Sequence, residues 1–181
     1  MAPPTSSNSR KLIGVMWLLS RNSYGTIKRY GQELREFFGT RMILMDPQNV
    51  HITLLYGAAY EPDPNVKTSN TKITPYKFNP STQGSRPKFL TQGNKTLTRA
   101  VACAFIATHF SDQKVNPLLR SESLHRKYKI AFSQQSGDIH FTVGRLKEIS
   151  SADFRNIAAA APKLTEEVYF DYEYINVVGD I

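Results

Sequence analysis

The chain has 181 residues, of which 40% are hydrophobic and 11% aromatic, and its formal net charge is +8. That composition is rich enough in apolar residues to build a core and excludes an intrinsically disordered chain. The longest apolar runs, near 12–19 and 100–106, are too short to cross a bilayer as helices, and the positive charge favours polyanionic partners such as RNA or DNA without naming one.

Residues 1–10 are small and polar, with two prolines and no apolar run before the first charge. They predict a flexible tail and no secretion signal. Residues 11–19 suit a buried strand. Ile27, Tyr30, Leu34 and Phe38 recur at helical spacing, which predicts an amphipathic helix over 24–38 that stops at Gly39. A short apolar strand is expected over 41–45, a turn at Asp46-Pro47, and a strand over 50–56.

Five prolines punctuate residues 58–94, which predict a long loop followed by short strands near 73–78 and 88–91. Residues 95–110 read as a helix with Leu97, Val101, Ala104, Phe105 and Ala107 on its apolar side. Residues 111–124 read as mostly loop. Strands are expected over 127–133 and 139–146, a helix over 151–161 that Pro162 ends, and an aromatic-rich strand over 168–178.

The order of elements is that of an α+β protein: a tail over 1–10 and a single domain over 11–181. The one cysteine, Cys103, cannot form an internal disulfide and fits a reducing, cytoplasmic compartment. It lies in an apolar run, where a small buried residue is the ordinary role.

Two of the four histidines share a pattern. Val50-His51-Ile52-Thr53-Leu54 and Ile139-His140-Phe141-Thr142-Val143 both read apolar, His, apolar, Thr, apolar. On a strand, residues two apart project to one face. Each strand thus offers an imidazole beside a hydroxyl, with apolar neighbours turned to a core. Phosphodiester cleavage needs one group to take a proton from the attacking oxygen and another to give one to the leaving oxygen. Imidazole does both, since its unperturbed pKa is about 6.5. Threonine hydroxyls can donate to the non-bridging oxygens. His109-Phe110-Ser111 has the same bare spacing but falls at the end of a predicted helix, where residues i and i+2 diverge.

The segment Asp46-Pro47-Gln48-Asn49-Val50-His51-Ile52-Thr53-Leu54 resembles the first motif of the 2H phosphoesterase superfamily, the LigT-like proteins. The segment 139–147, including Arg145 and Lys147, resembles the second. The resemblance covers roughly residues 46–57 and 138–148. It implies a bilobal fold, with two pseudo-twofold related lobes of antiparallel sheet and flanking helices around a central cleft. It also implies a catalytic set of His51, Thr53, His140 and Thr142 that uses no metal and no cofactor. Members act on RNA 2′,3′-cyclic phosphate ends or on 2′,5′-linked oligoribonucleotides of the 2-5A type.

The expected function is therefore a metal-independent phosphodiesterase with an RNA or oligoribonucleotide substrate. The expected setting is a monomer with no membrane partner. The alternative is a basic RNA-binding module of the same fold with negligible turnover, but a binder has no need of two titrating groups. Arg145 is either a contact to phosphate or a solvated charge at a strand end. Simple alternation turns Tyr56 away from His51, so it is either core or a stacking platform. Tyr169, Phe170, Tyr172 and Tyr174 either pack within the sheet or stack a base. Tyr169 and Tyr56 join Arg145 as candidate substrate-binding residues. His125 and the basic run Arg126, Lys127 and Lys129 read as a solvated face or a guide for RNA. The four histidines and one cysteine lack zinc-site spacing.

Overall fold

Alternating apolar residues place most of the described residues in one sheet. A computed structural model describes residues 11–59, 69–80, 84–91, 100–106, 131–133, 140–147 and 149–180. The elements are β1 (Lys11–Leu19), α1 (Tyr24–Phe38), β2 (Met42–Leu44), β3 (His51–Ala59), β4 (Ser69–Phe78), β5 (Lys88–Thr91), β6 (Ala100–Ile106), β7 (Ala131–Ser133), β8 (His140–Lys147), α2 (Ser151–Ala158) and β9 (Val168–Asp180). The architecture is α+β.

The sheet runs β4-β9-β1-β3-β8-β6-β5, with β2 pairing β8 and β7 pairing β3. Every strand pairing described is antiparallel. The centre of the sheet has a regular plan. After its first residues β3 leaves β8 and pairs with β7, while β8 leaves β3 and pairs with β2.

The two described helices pack against one core. In α1 the predicted spacing holds: Ile27, Tyr30 and Leu34 are buried. The helix ends at Gly39, whose φ of +71° is a conformation that suits glycine. The Ser150 hydroxyl caps α2 by accepting from the Asp153 amide at 3.1 Å, and Phe154 is buried. Phe38 stacks on Phe154 at 6.0 Å, joining the two helices. The Tyr30 hydroxyl donates to the Pro162 carbonyl at 2.9 Å. Between helices and sheet, Phe141 packs edge-on against Phe78 at 5.0 Å and tilted against Phe170 at 5.4 Å. The sheet face opposite this core carries the histidines.

One element differs in kind from the sequence reading. The helix expected over 95–110 is, across its described part, strand β6, hydrogen-bonded between β5 and β8. The run alternates Ala100, Ala102 and Ala104 with Val101, Cys103 and Phe105. It fits a strand period as well as a helical one, and pairing on both edges decides for the strand. Strand β4 begins at Ser69, earlier than expected, and tolerates Pro75 because it is an outer strand. Its register slips between Lys72 and Tyr76, around the proline. The expected tail over 1–10, the loop over 111–124, His109, His125 and the basic run after it lie outside the described residues.

Candidate functional site

The site begins with a turn. Asp46 accepts from the Gln48 amide at 3.3 Å and the Gln48 side-chain amide at 3.2 Å, and Pro47 opens the short helical turn Pro47–Asn49. The Leu19 amide donates to the Val50 carbonyl and ties the turn to the end of β1. This geometry leaves the Asn49 carbonyl 2.7 Å from His51 Nδ1. A carbonyl oxygen only accepts, so Nδ1 carries the hydrogen and donates. The lone pair of the neutral ring is then on Nε2, and the ring orientation is fixed by backbone.

Strands β3 and β8 meet where Ile52 pairs with Phe141. Stepping one residue each way along this antiparallel pairing sets His51 opposite Thr142 and Thr53 opposite His140. Residues directly opposite share a face. All four side chains therefore stand on one face as two crossed His/Thr pairs, while Ile52 and Phe141 are fully buried on the other. The two histidines sit on a diagonal, where neighbours are about 7–8 Å apart and their Cβ atoms somewhat closer. That spacing suits two imidazoles reaching toward one group between them. His51, Thr53 and His140 are half-buried, and Thr142 is buried.

The two strands also carry the same irregularity at the same place. On β3, Thr53 pairs with Met16 and Leu55 with Val15, so Leu54 is an inserted residue. On β8, Thr142 pairs with Ala104 and Gly144 with Cys103, so Val143 is inserted. Each His-x-Thr motif is thus followed at once by a β-bulge, which reverses the alternation of the strand beyond it. Burial on β8 records the reversal: Phe141, Val143 and Leu146 all enter the core, the last after a step of three.

The bulge on β8 moves one candidate position. Beyond Val143, exposed Arg145 and Lys147 fall on the side of His140 and Thr142. Beyond Leu54, the backbone of position 56 pairs with Gly14. Positions 56 and 145 are equivalent in the two strands, each three residues after the motif threonine.

Tyr169 is placed differently. Its hydroxyl donates to Glu167 Oε2 at 2.6 Å, and Lys77 lies 3.3 Å from Glu167 Oε1. The Tyr169 hydrogen bond, then Lys77, hold the Glu167 carboxyl below its ordinary pKa, and the same bond raises that of Tyr169. Tyr169 pairs with Lys77 on β4 and lies beyond the rows that contain His51. The aromatic residue level with His51 is Tyr172, which pairs with Leu18, itself the partner of His51. The sequence shows Tyr172 only as one of four aromatics in a strand, because its level depends on pairing.

Among the described residues no group of three or more His, Cys, Asp or Glu side chains is arranged to hold a metal ion. Among them, too, no helix is long and apolar enough to cross a membrane. No protein-family model matches the chain, and no curated protein matches it.

Proposed function

We propose that the face carrying His51, Thr53, His140 and Thr142 is the active site of a 2H-type phosphodiesterase. Its substrates are 2′,3′-cyclic phosphate ends of RNA or 2′,5′-linked oligoribonucleotides. The observation that carries this reading is the crossed meeting of the two His-x-Thr pairs at the β3–β8 seam. The repeated bulge after each motif supports the pseudo-twofold, bilobal plan that the resemblance implies.

In this reading one ring nitrogen accepts the proton of a water or ribose hydroxyl as its oxygen bonds to phosphorus. The opposite ring protonates the departing ribose oxygen as the second phosphorus–oxygen bond breaks. His51 meets the first requirement in its neutral form, with Nε2 available and Nδ1 held by Asn49. Thr53 and Thr142 donate to the non-bridging oxygens, and Arg145 adds a cation on the same face. The lone cysteine supports a reducing, cytoplasmic setting.

The test is a substrate panel: a 2′,3′-cyclic nucleotide, RNA ending in a cyclic phosphate, 2′,5′-linked oligoadenylate, 3′,5′-linked RNA and DNA, each with and without EDTA. The first three divide between them the substrates expected to be cut, in EDTA, along a bell-shaped pH profile. DNA has no ribose hydroxyl and is expected to stay intact. DNA cleavage at a comparable rate, or loss of activity on chelation restored by zinc or magnesium, overturns the reading. Tight RNA binding without turnover of any substrate favours a binding module instead.

A further inference from the structure

The row that contains His51 continues sideways across the sheet. Leu18 is the register partner of His51, Tyr172 of Leu18, and Lys72 of Tyr172. Opposite residues share a face. An imidazole, an aliphatic side chain, a phenol ring and an ammonium group therefore stand in line on the side away from the core. With strands about 4.8 Å apart, Tyr172 lies about 10 Å from His51 and Lys72 about 14 Å.

Tyr172 faces this way because of a third bulge. Phe170 pairs with Leu19 and Tyr172 with Leu18, so Asp171 is inserted between them. Without that insertion Tyr172 shares the face of Phe170, which is fully buried. With it, Tyr172 is 37% exposed while the next residue, Glu173, is buried and accepts from Trp17 Nε1 at 3.3 Å. Ser20 donates its hydroxyl to Asp171 Oδ2 at 3.1 Å and helps to fix the bulge. A large ring is thus turned out of an aromatic core and set level with a candidate catalytic histidine. Leu18 beside it is half-buried and Lys72 at the outer strand is exposed.

We propose that Leu18, Tyr172 and Lys72 form a nucleoside subsite on the β1–β9–β4 side of the scissile phosphate. The ribose lies over Leu18, the base stacks on Tyr172, and the following phosphate reaches Lys72. The inference rests on the phosphodiesterase reading for the position of the scissile phosphate. Every base has a π-face, so the subsite selects a nucleoside over a bare sugar phosphate without choosing among bases.

The experiment titrates the full chain with 2-aminopurine riboside 5′-monophosphate, following fluorescence quenching, with ribose 5-phosphate as the comparison probe. Tyr172→Ala and Tyr172→Leu are expected to weaken nucleotide binding about tenfold, within the range of base–aromatic stacking. Tyr172→Phe keeps the ring and is expected to bind as the unaltered chain does, and ribose 5-phosphate is expected to respond to none of the three. The leucine variant preserves bulk should the alanine variant misfold. Unchanged nucleotide affinity in Tyr172→Leu, or an equal loss in Tyr172→Phe, overturns the subsite. If no panel substrate is cut yet Tyr172→Leu still weakens the nucleotide, the phosphodiesterase reading fails and the subsite stands.

Discussion

Ile52 of β3 and Phe141 of β8 are register partners across the seam of the sheet, and both are fully buried. Each lies immediately between the histidine and the threonine of its own motif. The core thus holds the two motifs from behind, and the alignment of the site depends on how well this pair is packed.

Phe141→Ala is expected to lower unfolding stability by about 3–5 kcal/mol, the usual cost of emptying a buried phenylalanine site. Phe141 also loses its ring contacts with Phe78 and Phe170. Ile52→Val removes a single methylene and is expected to cost about 0.5–1.5 kcal/mol. Urea unfolding followed by circular dichroism measures both, and equal small losses for the two would show that the seam is not a packed core.

Gly144 sits where β8 passes β2. A Cβ there would lie 2.4 Å from Met42 Cε and 2.7 Å from the Ile43 carbonyl oxygen. The methionine end can move aside, but the backbone oxygen is held by the strand. Gly144→Ala is therefore expected to destabilise by about 1–3 kcal/mol. Adding Met42→Ala is expected not to restore stability, because the contact with Ile43 persists. Full recovery in the double variant would place the whole clash on the Met42 side chain.

His51→Ala and His140→Ala are each expected to reduce kcat about a hundredfold or more on whichever ribonucleotide is cut. Their melting temperatures are expected to stay close to that of the unaltered chain, since both rings stand on the half-open face. Near-normal kcat in either variant contradicts the paired acid–base reading. Unfolding of both would instead assign the histidines to the framework.

Glu167 gives a pH prediction with a definite sign. Its carboxyl is held below the ordinary value first by the Tyr169 hydroxyl and then by Lys77. A depressed folded pKa contributes stability above the unfolded carboxylate value, near 4.3, and that contribution is lost as pH falls through the folded value. Both partners are on the surface, so the effect on stability is small. Carboxyl chemical shifts in a pH titration are expected to show Glu167 moving upward in Tyr169→Phe. No movement would mean that the 2.6 Å bond does not form in solution.

The sequence by itself determined the local chemistry. The spacing of Ile27, Tyr30, Leu34 and Phe38 specifies α1, and the repeated apolar-His-apolar-Thr-apolar pattern puts each imidazole and hydroxyl on one strand face. These are near-neighbour properties, set by side-chain period and turn residues such as Asp46-Pro47. What the tertiary structure alone decided was register and inserted residues. A single extra residue reverses a strand's faces, and nothing local in Leu54, Val143 or Asp171 announces an insertion. For that reason the sides taken by Arg145 and Tyr172 could be settled only by their partners on neighbouring strands. Strand β6 escaped the sequence reading on the same grounds: its alanine-rich run satisfies two periods, and only pairing with β5 and β8 chooses one.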